Sequence, residues 1–159
     1  MDISQDDREL ILLEHIANDP DINQSTLAKN LDVAVGTVNW HIKRLVSKGY
    51  VKAKRAQRKK LRYIITPDGI ALRAKLTVQY IENQMRLYRE TRLQVKDLLA
   101  EIRADGFQQV RITGESELAD VCQLTCLEQG FEVVDLDNLP TLEVNGYSIS
   151  LKKIKIPNE

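Results

Sequence analysis

The spacing of apolar and polar positions changes period along this chain, and each change marks an element. From Ser4 to Asn18, Leu10, Leu13, Ile16 and Ala17 form one helical stripe behind a Ser4/Asp7 capping box, and the pattern stops before Asp19-Pro20. Asn23 is placed to cap a short helix, Gln24 to Leu31, whose inner face is Leu27, Ala28 and Leu31. Asp32 to Ala34 leave room only for a tight turn. A second helix, about Val35 to Lys48, gathers Val35, Val38, Ile42, Leu45 and Val46 on one side, and Gly49 supplies its stop. Two alternating segments follow, Tyr50 to Lys54 and Leu61 to Ile65, with Val51, Ala53, Leu61, Tyr63 and Ile65 on one side.

Thr66-Pro67 is a strong helix start, and the helical pattern then runs unbroken to Ala104, where Asp105-Gly106 ends it. At about 1.5 Å per residue this is a rod on the order of 55 Å long. Positions 74, 78, 81, 85, 88, 92, 95, 99 and 102 alternate by four and three, and all but Arg92 are apolar. That is a coiled-coil seam, in which Val78, Ile81, Met85, Tyr88, Val95, Leu99 and Ile102 are the expected dimerisation residues and Arg92 fixes register or marks a bend. Nothing upstream is long enough to cover the helix beyond about Ile81. From Phe107 the period shortens. Gln109 to Thr113 reads as a strand, Glu115 to Gln129 as a helix and Phe131 to Asp135 as a parallel strand, one βαβ unit. Thr141 to Val144 and Tyr147 to Leu151 flank Asn145-Gly146, a two-residue hairpin or tight turn.

The expected fold is therefore mainly α with a small α/β part. It comprises a winged helix-turn-helix over residues 1–66, a long coiled-coil dimerisation helix over 67–105, and a small truncated Rossmann-like module over 106–159.

The formal net charge of zero conceals a segregation. Between Val33 and Pro67 there are ten Lys or Arg and no Asp or Glu, whereas Gly114 to Gly146 holds eight Asp or Glu and no Lys or Arg. A single-signed basic hairpin beside a helix-turn-helix points to double-stranded DNA, and the acidic module would be repelled by it. On the second helix, Gly36, Thr37, Trp40, Lys43, Arg44 and Ser47 lie opposite the apolar cluster, with Asn39 and His41 on the flanks. Thr, Asn and Arg suit base edges, Gly36 permits close approach and Lys43 suits phosphate. Lys54, Arg55, Arg58, Lys59, Lys60 and Arg62 supply the wing's backbone contacts. Trp40 is the odd member, since a large aromatic on such a face is more often a partly buried packing residue.

Three runs carry a resemblance to a family: Leu27-Ala-Lys-Asn-Leu-Asp-Val-Ala-Val-Gly-Thr-Val-Asn39, Leu45-Val-Ser-Lys-Gly-Tyr-Val-Lys52 and Ile65-Thr-Pro-Asp-Gly69. Together they resemble the winged-helix part of MarR-type regulators found with exopolysaccharide gene clusters, over roughly residues 5 to 104. The Val-Gly-x-Val-Asn segment and the Thr-Pro-x-Gly that closes the wing are the more specific parts. The resemblance implies a dimeric transcriptional regulator. Two copies would read half-sites about 34 Å apart.

The C-terminal run Val110-Arg-Ile-Thr-Gly114, with Asp135 at the end of the next strand, resembles the start of a Rossmann-type nucleotide site. Gly114 and Asp135 are thus possible ligand residues. Only one glycine stands where the phosphate-binding fingerprint has three, however, and Glu115 and Glu117 occupy the anion's place. Cys122 and Cys126 read as two small residues buried against the sheet. No catalytic constellation, metal-ligand pattern or cofactor is expected. Without a long apolar run or a secretion signal, a cytoplasmic location without membrane contact is the expectation. A ligand-gated regulator whose C-terminal module senses a nucleotide or sugar nucleotide, and a winged-helix adaptor without DNA binding, are the competing readings.

Overall fold

A computed structural model describes residues 3–57 and 60–154. The elements are α1 (Gln5–Asn18), α2 (Gln24–Leu31), α3 (Val35–Ser47), β1 (Val51–Arg55), β2 (Leu61–Ile65), α4 (Pro67–Ala104), β3 (Gln109–Thr113), α5 (Glu117–Glu128), β4 (Glu132–Val133), β5 (Thr141–Asn145) and β6 (Ser148–Lys152). They divide into two compact units, residues 1–82 and 83–159, so α4 contributes to both. Among the described residues no helix is long and apolar enough to cross a membrane.

In the N-terminal unit the helix starts follow from their caps. Ser4 Oγ accepts from the Asp7 amide at 3.1 Å and Asn23 Oδ1 from the Thr26 amide at 2.8 Å, each satisfying an otherwise orphaned donor. Asp32 closes α2 in the left-handed region, φ 52°, which lets the chain reverse into α3 within a few residues. Leu12, Leu13 and Ile16 of α1, Leu27 of α2, Val38 and Leu45 of α3, Val51 of β1 and Tyr63 of β2 close one core. Each fully buried aliphatic side chain contributes about 1.5–3 kcal/mol. The buried face of α1 is wider than its expected stripe. Leu12 and Glu9 lie in it, while Ala17 is exposed.

The wing is the antiparallel pair β1–β2, registered from Val51 opposite Ile65 to Arg55 opposite Leu61. Its burial is uneven, for Ala53 and Leu61, expected on the inner side, are exposed, although Tyr63, paired with Ala53, is buried. The Thr-Pro-x-Gly segment locks that base. Thr66 Oγ1 donates to the Gly49 carbonyl at 2.6 Å and accepts from the Gly69 amide at 3.1 Å. A Cβ on Gly69 would lie 2.0 Å from the Tyr50 carbonyl oxygen, so this glycine is demanded by the strand crossing the first turn of α4.

The C-terminal unit is a four-stranded sheet in the order β4-β3-β5-β6, with β3 parallel to both β4 and β5, and β6 antiparallel to β5. Its apolar face, Val110, Leu142, Val144 and Ile149, packs with Leu118, Ala119, Cys122 and Cys126 of α5 and with Val95, Leu99 and Ile102 of α4. Helices thus cover one face of the sheet, where a full Rossmann fold covers both. Three of the expected dimerisation residues are therefore corrected. Val95 is 0% exposed and Leu99 and Ile102 are 1% exposed, buried by residues downstream of the helix rather than left for a second copy. Arg92 leaves the seam as well: it pairs with Glu128 of α5, and its guanidinium carbon lies 5.8 Å from the Tyr88 ring centre.

The last hairpin turns one residue later than Asn145-Gly146. Asn145 pairs with Ser148, which leaves Gly146-Tyr147 at the corner, and Gly146 alone takes positive φ, at 59°. A positive φ only at the first corner residue matches a type II′ turn, which asks for glycine there.

Candidate nucleic-acid interface

α2 and α3 with the intervening turn set one face of α3 outward. Gly36, Trp40, Lys43 and Ser47 are exposed, and Thr37, Asn39 and Arg44 are half-buried. Trp40 is 53% exposed, so it packs with only part of its surface. A Cβ built on Gly36 would meet nothing within 4 Å, so nothing inside the fold requires glycine there. The N-cap of α3, Ala34, offers no side-chain acceptor to the first amides.

The nominated residues divide by what else they touch. Among the described residues Lys43, Lys48, Lys52, Lys54, Arg55 and Lys60 are exposed and make no ion pair. Arg62 Nε lies 3.6 Å from Asp21 Oδ1, an exposed pair worth at most about 1 kcal/mol and readily exchanged. Asn39 Oδ1 accepts from Gln24 Nε2 at 3.5 Å, and the same nitrogen donates to the Tyr63 hydroxyl at 3.0 Å, which ties α2, α3 and the wing together. Arg58 and Lys59 lie outside the described residues.

Arg44 is held more firmly than its place on the outer face implies. Its Nε lies 3.5 Å from Oε1 of Glu9 on α1, and its guanidinium carbon 5.6 Å from the Trp40 ring centre. Glu9 is only 7% exposed. His41, expected on a flank, is buried at 3% exposure, its Nδ1 3.8 Å from the same carboxylate and its ring edge-on to Trp40 at 4.9 Å. Burial pushes the His41 pKa below its ordinary value. Arg8 and Arg44 add to that and Glu9 opposes it, so the imidazole is neutral at pH 7. The signal for both residues was in the spacing. Glu9 stands three, four and seven residues before Leu12, Leu13 and Ile16, and His41 lies between Val38 and Leu45 on the same buried stripe.

The two ligand candidates of the C-terminal unit are engaged within it. A Cβ on Gly114, φ 107°, would lie 2.3 Å from the Val144 carbonyl oxygen, so the glycine serves the close approach of β5 to the end of β3. Asp135 Oδ1 lies 2.7 Å from Arg111 Nε. The Ser116 hydroxyl accepts from the Ala119 amide at the start of α5, whose first turn carries Glu117 and Asp120. Cys122 and Cys126 are buried, and burial raises their thiols to about 11 and about 12, which keeps them protonated and unreactive near neutrality.

A short helix, a tight turn, a second helix with an open polar face and a basic two-stranded wing define a winged helix-turn-helix. Residues 5–52 match the family model described as winged helix-turn-helix DNA-binding. An uncharacterized protein of Methanocaldococcus jannaschii is 38% identical over 60 residues, a match covering 38% of this chain and 22% of that protein. The chain thus spans about a fifth of the length of that relative. Among solved structures it is similar to a MarR transcriptional regulator from Methanosarcina mazei Go1, with 23% identity, 63% of this chain and 76% of that one covered, and a TM-score of 0.45. It is also similar to the PcaV transcriptional regulator from Streptomyces coelicolor, with 17% identity, 62% and 74% covered, and a TM-score of 0.46.

Proposed function

We propose that this protein is a sequence-specific transcriptional regulator of the MarR-like winged-helix type that binds double-stranded DNA as a homodimer. α3 enters the major groove and the wing lies along the phosphate backbone. The observation that carries the reading is the group of exposed cations on and beside α3 and on the wing, Lys43, Lys48, Lys52, Lys54, Arg55 and Lys60, which make no ion pair among the described residues. Phosphates are the partner that such a group fits, and Thr37, Asn39, Trp40 and Arg44 then face the base edges. Selection of bound fragments from random duplexes tests this. The expected result is a recurring near-palindromic site whose binding weakens steeply as salt rises. Failure to enrich any sequence, with binding that ignores salt, would overturn it.

The second copy docks on the exposed part of the α4 stripe: Val78, Ile81, Met85 and Tyr88. Ile81 is 54% and Met85 50% exposed, and neither belongs to the buried core of its own unit among the described residues. Replacing both by Asp should convert a sedimenting dimer to a monomer at micromolar concentration and leave the helical signal intact.

A second reading keeps a small-molecule effector in the C-terminal unit. It rests on a cavity of about 410 Å³ on the polar face of the sheet, lined among others by Arg111, Thr113, Glu143 and Lys152. Gly114 and Asp135 remain only its secondary candidates. A thermal-shift screen with nucleotides and sugar nucleotides that finds no stabilisation at millimolar ligand would dismiss it.

A further inference from the structure

A carboxylate buried directly behind a helix whose only formal charges are the cations Lys43 and Arg44 demands an explanation. Taking Glu9 out of water costs several kcal/mol unless cations compensate it. His41, kept neutral by burial, supplies no charge. Arg8 is close enough to disfavour protonation of His41, and Arg44 approaches the carboxylate to 3.5 Å from the exposed side of α3. Arg44 is therefore fixed by the carboxylate at its Nε edge and by the half-exposed Trp40 ring beneath its plane.

We propose that Glu9 is a positioning residue for sequence recognition. It holds Arg44 and Trp40 as one prearranged reading surface and keeps the Arg44 guanidinium from the nearest phosphate. The inference rests on the placement of α3 in the major groove. An arginine free to choose satisfies itself on the backbone, which is present at every step of every sequence. An arginine tethered from behind can offer only its outer nitrogens, at one place along the groove. It also enters the complex with less side-chain freedom to lose. Glu9 itself never touches DNA.

The test compares wild-type protein with Glu9→Gln, Arg44→Ala and the double variant. It uses the selected duplex and a scrambled duplex, each titrated at several salt concentrations, with thermal unfolding recorded for every protein. Glu9→Gln should lower the ratio of selected to scrambled affinity by roughly tenfold, the size of one lost base contact. It should also steepen the salt dependence by about one counterion, because a released Arg44 now neutralises a phosphate. Arg44→Ala should lose the same discrimination without the steeper slope, and the double variant should be no worse than Arg44→Ala alone. If Glu9→Gln melts earlier yet keeps both the discrimination and the slope of wild type, Glu9 merely supports the fold and the proposal is overturned. Wild-type protein that does not discriminate the two duplexes would instead overturn the DNA reading and this inference with it.

Discussion

Among the described residues, Arg92, Arg111 and Lys153 in the C-terminal unit each face a carboxylate of that unit, whereas Lys43, Lys48, Lys52, Lys54, Arg55 and Lys60 in the N-terminal unit face none. The contrast is not one of stability, since exposed pairs are worth about 0–1 kcal/mol each. It concerns the field outside the molecule. Paired charges cancel within a few ångström, while a set of one sign projects a potential to about a Debye length, roughly 10 Å in 0.1 M salt, and draws in a polyanion. The glycines divide by position rather than by unit. Gly114 and Gly69 stand where a backbone carbonyl already occupies the Cβ position, and Gly36 stands against open space. Closed positions serve the fold, and open ones are left for something that arrives.

If that division is right, substitutions should separate cleanly into those that damage folding and those that damage binding. Gly114→Ala belongs to the first kind. It places a methyl 2.3 Å from the Val144 carbonyl oxygen and forces alanine to φ 107°. A loss of about 2–5 kcal/mol is expected from strain and overpacking together. Chemical denaturation of the C-terminal unit reads it, and an unchanged midpoint would mean that the space beside β5 is free for a ligand after all.

Replacing Arg58, Lys59 and Lys60 together by Ala should do the reverse. Stability should stay within about 0.5 kcal/mol. Affinity for every duplex should fall, on the order of a hundredfold at low salt, with the salt slope flattened by up to about 3. Fluorescence anisotropy at several salt concentrations measures both, and an unaltered slope removes the wing from the interface.

Gly36→Ala is the finer instrument, because Gly36 and Gly114 must then behave oppositely. In an exposed first turn of α3, alanine should stabilise the protein by about 0.5–1 kcal/mol, and the added methyl should weaken binding to the selected duplex severalfold. A gain in stability with no cost in binding would place the N-terminal end of α3 away from the groove.

Local signals made the N-terminal unit readable from sequence. Asn23, Asp32 and Thr66 each act on their own neighbourhood, and α2 and β2 begin and end where those residues and the alternation place them. What escaped depends on contacts between distant segments. The stripe on α4 looks continuous from Ala74 to Ile102, yet its last third is covered by a sheet that follows it in the chain, and nothing in a heptad tells a second copy from a later strand. The turn at Gly146-Tyr147 shifted by one because strand register, set by which residues face the core, outranks the Asn-Gly preference. Glu9 goes unremarked in the sequence, and His41 is expected only on a flank of its helix. Their spacing said otherwise, and the compensating Arg44 lies on another helix.

A pH effect follows from that buried histidine. Burial lowers the His41 pKa, Arg8 and Arg44 lower it further, and Glu9 pulls the other way. The unfolded chain therefore binds a proton at this position more readily than the folded one. Its contribution to stability is complete above the unfolded value near 6.5 and drains away as the pH falls through the lower folded value. The unfolding midpoints of wild type and His41→Gln, compared from neutral to mildly acidic pH, isolate this residue because every other group is common to both. Wild type should lose ground to the variant on acidification, by at most about 1.4 kcal/mol per pH unit. If wild type gained ground instead, the attraction of Glu9 would outweigh burial and His41 would carry a positive charge in the folded protein. Arg44 would then share the carboxylate with a second cation, its tether would loosen, and the separation between a self-contained unit and one waiting for an anion would have to be redrawn at Glu9.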